Sequence, residues 1–536
     1  MSSFEDKLVQ YIKGGGQAFF VDTLETARCQ RSIKQVAEKL SKKTKTKVIT
    51  WDCINGFDIE GGDRFTALQK AILATVDSSA LGPGDALVVF KNAHPWLSKV
   101  PEIRQAFKNL REINAFNSIS HFRRPLIFLS NSYEVHPEIT HDLVKLTFEL
   151  PTTEELLSVF NQVESVVKSM LGEEGRCDDV LKDRILRNLL GLTECEAENI
   201  LYYAVNQSKG FNNDVLEILE EEKASSINSG SILEYVPRRK IESIDNFKGF
   251  ERYIDWLKSR LKTYTPEARA RNLEFPKGAA LIGPPGTGKS AIAKATAKML
   301  NLPLVILDYS ATFNSLVGES EGALRNSLKQ IRGLRGSVML IDEADKALQG
   351  QGDLSGVSQR LSGILLSWLT DRPPDDRTFV LFTLNRTEGI RPETLRAGRL
   401  DKMWCTRIPN DRERWEIFDV HCKIRNIKTK YNEKEKQAFL QATKGYVGSE
   451  IEQVVIDSQV ADFDIGKDNS EVIPMNVVLK EAYSITPVSR LDSENIKQIE
   501  QFCKDRAFPV GLSDEDGKSN TKNKTGRGLE MDNWES

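Results

Sequence analysis

The octet Gly283-Pro284-Pro285-Gly286-Thr287-Gly288-Lys289-Ser290 constrains this chain more than any other feature. It meets the full pattern of a phosphate-binding P-loop. The apolar residues 278–282 precede it, and residues 291–300, good helix formers, follow it. A strand, a glycine-rich turn and a helix in that order point to a parallel sheet flanked by helices. The glycines let the backbone bend so that its N–H groups can face phosphate oxygens. The helix N-terminus adds partial positive charge. Lys289 can reach the β- and γ-phosphates, and Ser290 can ligate Mg2+. Without the flanking strand and helix, the same octet would read as a plain Gly/Pro turn.

The second half offers apolar strand segments at 279–282, 304–308, 337–342, 378–384 and 404–408, with helical patterns between them. Such runs mark a parallel sheet covered on both faces. After Pro409 the pattern is helical, most clearly at 412–424, 433–443 and 449–463. The first half repeats the order. Strand segments at 18–22, 47–52, 86–91, 125–130 and 144–150 are followed by helical segments at 153–171, 180–190 and 194–205. We read this as a duplicated architecture. The first copy lacks the chemistry. Its first strand runs into Thr23-Leu24-Glu25-Thr26-Ala27-Arg28, without glycine or lysine, and its third ends Lys91-Asn92, without paired carboxylates. It reads as a non-hydrolysing structural or recognition domain.

A chain of 536 residues needs more than one core. The expected division is 1–225, a linker at 226–240 rich in Ser, Gly and Asn, a sheet domain at 241–410, a helical lid at 411–508, and a polar, disordered tail at 509–536. Net charge is −3, from 74 Lys+Arg against 77 Asp+Glu, which gives no global support for nucleic-acid binding. The short basic runs at 42–47 and 237–240 read as solvated segments. Seven scattered cysteines without a C-x-x-C pair read as free thiols in a reducing compartment, with no zinc site. The first residues lack a signal-peptide pattern, and no apolar run reaches the ~20 residues of a membrane helix. A soluble, cytoplasmic protein without a membrane partner is the expectation.

Residues 338–343 form an apolar strand ending in Asp342-Glu343. Asp342, with the P-loop hydroxyl of Ser290, suits the Mg2+ shell. Glu343 suits the base that activates water. Asn385, at the tip of the strand 378–384, can sense the γ-phosphate and position water, or serve as a turn residue. Arg396 and Arg399 flank Gly398 and could act as arginine fingers, or form a solvated basic turn.

Together these residues resemble the AAA ATPases, the classical clade of the AAA+ superfamily. The matching pieces are Pro276-Lys277-Gly278, the P-loop, Gly318-Glu319-Ser320-Glu321, Ile341-Asp342-Glu343, Asn385, and Leu395-Arg396-Ala397-Gly398-Arg399-Leu400-Asp401. Gly445-Tyr446-Val447-Gly448-Ser449-Glu450-Ile451 is similar to the clade's lid signature, which places Gly448 and Ser449 on the adenine side of the nucleotide. The likeness covers about residues 240–465. It implies an α/β fold, a P-loop AAA+ parallel sheet with a C-terminal helical lid, preceded here by a degenerate AAA+-like domain lacking the P-loop. It also implies ATP and Mg2+ as cofactors, Arg396 and Arg399 reaching a neighbouring subunit's site, and a homo-oligomeric ring, most often a hexamer. The whole chain resembles a narrower group, AAA proteins encoded as a hypothetical reading frame in algal plastids and cyanobacteria. Residues 264–270, 315–320 and 356–360 carry that likeness. It implies a role in photosynthetic or inorganic-carbon physiology, and a stromal location where the gene is plastid-encoded.

The expected function is ATP hydrolysis coupled to remodelling or regulation of a protein partner. The alternative is an ATP-driven assembly switch or scaffold. Leu316 stands where many AAA unfoldases carry a pore-facing aromatic, and leucine lacks that flat contact surface. The polar loop 349–356 reads as a mobile pore-facing or intersubunit loop. A nucleic-acid motor is the least supported class.

Overall fold

Two sheets with the same strand order organise the chain. The computed structural model describes residues 3–41, 45–59, 65–75, 81, 84–116, 124–131, 133, 135–172, 177–229, 232–309, 319–345, 357–388, 398–464 and 472–512. The expectations that fell on Ser315, Leu316, the loop 349–356, Arg396 and residues 513–536 lie outside them. The chain divides into units Met1–Lys223 and Ala224–Ser536.

In the first unit the strands are β1 (Ala18–Asp22), β2 (Lys47–Asp52), β3 (Gly56–Phe57), β4 (Ala86–Lys91), β5 (Leu126–Ser130) and β6 (Val144–Thr147). Their order is β3-β2-β4-β5-β1-β6. All pairs are parallel except β2–β3. The five strands read from sequence are present, and the two-residue β3 adds an edge that is too short to leave a periodic signal. β1, β5 and most of β4 are buried on both faces, as parallel strands between helices must be. A separate helical cluster follows, built from Thr153–Leu171, Asp179–Leu189, Glu194–Gln207 and the start of Asp214–Asn228. Thr152 and Thr193 each start a helix with a reciprocal capping box.

The second unit holds β7 (Leu233–Val236), β8 (Gly278–Ile282), β9 (Leu304–Leu307), β10 (Val338–Ile341), β11 (Phe379–Leu384), β12 (Lys402–Cys405), β13 (Lys428–Lys430), β14 (Val472–Pro474) and β15 (Phe508–Pro509). Its main sheet runs β15-β12-β8-β11-β10-β9-β7. Counting only the five strands common to both halves, each sheet reads 5-1-4-3-2 in chain order. The duplicated architecture is therefore real at the level of topology. Leu281 and Ile282 of the interior strand β8 are fully buried, each worth roughly 2 kcal/mol of apolar burial. The connection from β8 to β9 passes over β11 and β10. This places the P-loop at the carboxyl ends of the strands, where open α/β sheets bind ligands.

Three features depart from the sequence reading. Part of the expected linker is structured: the helix Asp214–Asn228 continues into it, with Ala224 and Ile227 in the sheet core, and β7 pairs antiparallel with β9. The end of the expected lid and the start of the expected disordered tail belong to the sheet domain: β15 pairs with β12 through Phe508 and Pro509, Val510 is buried, and Ile499 and Cys503 of the helix Ser493–Arg506 enter the sheet core. Apolar spacing marks a helix but not the core it joins. Finally, Cys405 and Cys503 form a disulfide across 98 residues, so these two are not free thiols. The pairing leaves no local signal, because the helix bearing Cys503 follows the lid in sequence and only the tertiary fold returns it to β12.

The lid proper packs Asp411–Ile424, Glu433–Ala442, Gly448–Asp464 and Met475–Ala482 around Phe418, Phe439, Tyr446 and Val454. Asn410 and Asn432 start two of its helices with capping boxes. No helix among the described residues is long and apolar enough to cross a membrane.

Candidate active site

β8 delivers the chain into the P-loop, and the helix Lys289–Leu300 leaves it. Gly288 is the N-cap in a left-handed conformation (φ 83°), and no side chain caps the helix. The first N–H groups are thus left to an outside acceptor. Gly286, at φ 77°, is needed for a second reason: a Cβ there would lie 2.3 Å from Ser449 Oγ. Thr287 Oγ1 donates to the Pro284 carbonyl at 2.8 Å and meets Thr406 Oγ1 at 2.7 Å, which ties the loop's turn to the residue after β12.

Lys289 is only 4% exposed. Its Nζ donates to the carbonyls of Gly283 (2.8 Å) and Pro284 (2.6 Å). Burial pushes its pKa down to about 8 from the ordinary lysine range, against the pull of Asp342, Asp345 and Glu343. Three carboxylates around one buried ammonium make a site whose charge balance a polyphosphate can change strongly.

Ser290 Oγ donates to Asp342 Oδ1 at 2.7 Å, joining residues 52 positions apart. That direction of donation leaves the hydroxyl lone pairs of Ser290 available to a cation, and Asp342 contributes carboxylate oxygen. The donor set is hard and oxygen-only, as Mg2+ requires. Among the described residues no cluster of three or more His, Cys, Asp or Glu is built to hold a metal alone. A Mg2+ here would share its shell with phosphate oxygens and water, its usual habit in phosphoryl-transfer sites.

β11 lies between β8 and β10. Its end organises the carboxylates of β10. Thr383 Oγ1 donates to Asp342 Oδ1 and accepts the Glu343 backbone N–H at 2.9 Å. Asn385 donates its backbone N–H to Asp345 Oδ1 at 3.1 Å. Asn495, on the helix Ser493–Arg506, donates its side-chain amide to the Asn385 carbonyl at 3.4 Å. Asp342 and Glu343 remain exposed, while Asp345 is buried. The lid contributes through Ser449, whose backbone N–H donates to the Gly286 carbonyl at 3.1 Å.

The P-loop, Asp342 and Ser449 are therefore joined by direct bonds, and Glu343 and Asn385 stand at the tips of the neighbouring strands. Arg399 is elsewhere. Asp401 donates its N–H to the Gly278 carbonyl, so Arg399 lies at the amino end of β8, opposite the P-loop. The five-residue strand separates them by about 16 Å at 3.3 Å per residue. Arg399 Nε donates to Thr370 Oγ1 at 3.2 Å. Sequence reasoning missed Thr383, Asp345, Thr406 and Asn495. A signal existed for the first two: Thr383 is the one polar residue of Phe379–Leu384, and Asp345 follows Asp342-Glu343 on the same turn.

In the first unit, the place after β1 is filled by an ion-pair cluster. Arg28, which is buried, pairs with Glu25 at 2.7 Å and Glu155 at 2.8 Å, and its guanidinium lies 4.3 Å from the Phe148 ring centre. Glu25 Oε1 also accepts the Glu194 backbone N–H at 2.5 Å. Burial raises the Glu25 carboxyl above its ordinary range despite Arg28. Where the second unit has a loop open to an anion, the first has a buried arginine satisfied by carboxylates.

Comparison with known proteins finds family matches in both units. Residues 279–407 match the family "ATPase family associated with various cellular activities (AAA)". Residues 4–148 match the "SpoVK-like AAA ATPase, N-terminal domain", and 161–230 the "SpoVK-like AAA ATPase, second domain". The chain is 25% identical to the "Uncharacterized AAA domain-containing protein ycf46" of Guillardia theta, over 94% of this chain and 95% of that protein. It is 28% identical to the ycf46 protein of Gracilaria tenuistipitata var. liui, over 94% and 98%. A "Cell division cycle protein 48 homolog" of Archaeoglobus fulgidus is 30% identical over 50% of this chain and 36% of its own length.

Proposed function

We propose that this chain, whose residues 279–407 match the AAA family of ATPases, binds ATP with Mg2+ and hydrolyses it to remodel or regulate a protein partner. The observation that supports the reading is the Ser290–Asp342 hydrogen bond of 2.7 Å, which brings two hard oxygen donors together beside the P-loop. Lys289 and the N–H groups of the loop neutralise the β- and γ-phosphates. Bound Mg2+ would draw charge from the phosphate oxygens. Glu343, exposed beside Asp342, takes the proton of the attacking water, and the Asn385 amide orients that water. Arg396 and Arg399 act as fingers in a neighbouring subunit's site, most simply within a hexameric ring. Supporting this, Arg399 sits at the opposite end of β8 from its own P-loop. The first unit, with its phosphate site replaced by the Arg28 cluster, selects the partner.

The test is steady-state ATP turnover of the purified assembly. Lys289→Ala should abolish nucleotide binding. Glu343→Gln should keep binding and lose turnover. Wild-type protein that forms rings yet does not hydrolyse ATP would sink the proposal. The alternative of an assembly switch is favoured by Leu316, which lacks an aromatic grip. It gains if the Glu343→Gln protein, held with ATP, keeps the partner-bound function without turnover.

A further inference from the structure

The geometry points to Thr383 as a positioning residue for ATP hydrolysis, one that sets the cation-binding carboxylate Asp342 and the base Glu343 with a single hydroxyl. The inference rests on the hydrolytic reading above and names a residue that reading does not use.

Thr383 is 1% exposed in a strand whose other residues are all apolar. A buried hydroxyl in such a place is costly unless both its donor and its acceptor capacity are used. Here both are used, and both on the same short segment. The hydroxyl donates to Asp342 Oδ1 and accepts from the Glu343 N–H. The registry explains why. Ile341 pairs with Phe382, so Asp342 and Thr383 are next across the ladder, just beyond the last strand pair.

Two consequences follow. First, Glu343 has a left-handed backbone, with φ 49°, a conformation uncommon for a residue other than glycine. The bond from its N–H to Thr383 holds that conformation in place, and it fixes where the Glu343 side chain leaves the backbone. Second, Asp342 Oδ1 receives two hydroxyl protons, from Ser290 and from Thr383. Its rotation is stopped, and Oδ2 is the oxygen left to face the cation's water shell. The Thr383 hydroxyl is buried and bonded to Asp342 and to the Glu343 N–H. It acts through those two residues, and groups in such an outer layer are commonly worth 10- to 100-fold in metal affinity or activity.

The experiment compares Thr383→Val, which keeps the shape and removes the hydroxyl, with Thr383→Ser, which keeps the hydroxyl. Three readouts are taken on the full-length assembly: kcat and KM for ATP, thermal midpoint, and the Mg2+ concentration that half-saturates the tightening of a fluorescent ATP analogue. The last is a binding measurement that needs no turnover. Thr383→Val should lower kcat about 10- to 100-fold with little change in KM, and raise the Mg2+ midpoint about 10-fold. Thr383→Ser should stay within about threefold of wild type in both, since it restores the hydroxyl. Valine at wild-type kcat and Mg2+ midpoint would overturn the inference. So would serine and valine falling together in step with a lowered thermal midpoint, because that pattern belongs to packing. Wild-type protein without turnover would remove the hydrolytic reading and this inference with it, whereas wild-type turnover with an unaffected valine variant would remove this inference alone.

Discussion

Ser449 donates its backbone N–H to the Gly286 carbonyl at 3.1 Å, so the first turn of a lid helix is bonded to the turn of the P-loop. The two backbones approach this closely because position 286 has no side chain. A methyl group there would meet Ser449 Oγ at 2.3 Å and Val447 Cγ2 at 2.7 Å, on a residue already at φ 77°. Gly286→Ala should therefore push the lid off the loop as well as strain it. ATP affinity, measured by calorimetry, should fall at least about tenfold, each such factor being about 1.4 kcal/mol. Ser449→Ala keeps the backbone bond and should change affinity by less than about threefold.

Lys289 gives a pH dependence with a definite sign. Its folded-state pKa lies near 8, below the ordinary 10.5. The charged form, which a phosphate prefers, is thus lost as pH rises through about 8. ATP affinity should weaken above that point and flatten below it, and Lys289→Arg should remove the break because a guanidinium stays charged. Stability should run the other way. Between about 8 and 10.5 the unfolded chain binds the proton that the folded chain has released, so unfolding free energy contributed by this group rises with pH across that window. At pH 7 the group is a buried charge that costs stability. Lys289→Met should raise the thermal midpoint there while abolishing ATP binding, as titration calorimetry and thermal melts on one preparation would show.

The parts of this fold that were legible in the sequence are those written as local pattern. Fully buried parallel strands leave continuous apolar runs, so β8 to β12 could be read with errors of up to three residues at their ends, the largest at β12. The P-loop could be read because its chemistry fixes residue types at fixed spacing. What was not legible depends on distant partners. Nothing local says that Cys503 meets Cys405, that Asn495 reaches the Asn385 carbonyl, or that Thr406 closes on Thr287. β7 and β15 are short edge strands defined only by the neighbour they pair with. The first unit's cluster was hidden for the same reason: Arg28 and Glu155 are 127 residues apart.

The Cys405–Cys503 disulfide bears on stability. It closes a loop of 98 residues that contains the entire lid. Cross-links of this span restrict the unfolded chain, commonly by about 2–4 kcal/mol. Reductant, or Cys503→Ser, should lower the thermal midpoint of the second unit by several degrees. The first unit holds none of the bridge, and its own transition should not move. Differential scanning calorimetry with and without reductant tests both statements. A second-unit transition indifferent to reductant would mean that the bridge adds nothing to folding.

Arg399 supplies the sharpest test of assembly. It stands at the amino end of β8, with the length of the strand between it and Lys289 of the same chain. No side chain spans ~16 Å, so if Arg399 contributes to hydrolysis it must do so in another subunit. Lys289→Ala protein cannot bind ATP but still offers Arg399 to a neighbour. Arg399→Ala protein binds ATP but offers nothing. Each alone should show less than about 1% of wild-type turnover, given that a finger supplied in trans is worth on the order of 10³–10⁵ in rate. Mixed and allowed to reassemble, they should recover a substantial fraction, because some Arg399→Ala sites will then face an intact arginine. Recovery that tracks subunit mixing, measured as ATP turnover against mixing ratio, establishes action in trans. Full activity of the Arg399→Ala protein alone would show that Arg399 is a surface residue held by Thr370, and would leave the finger role to Arg396.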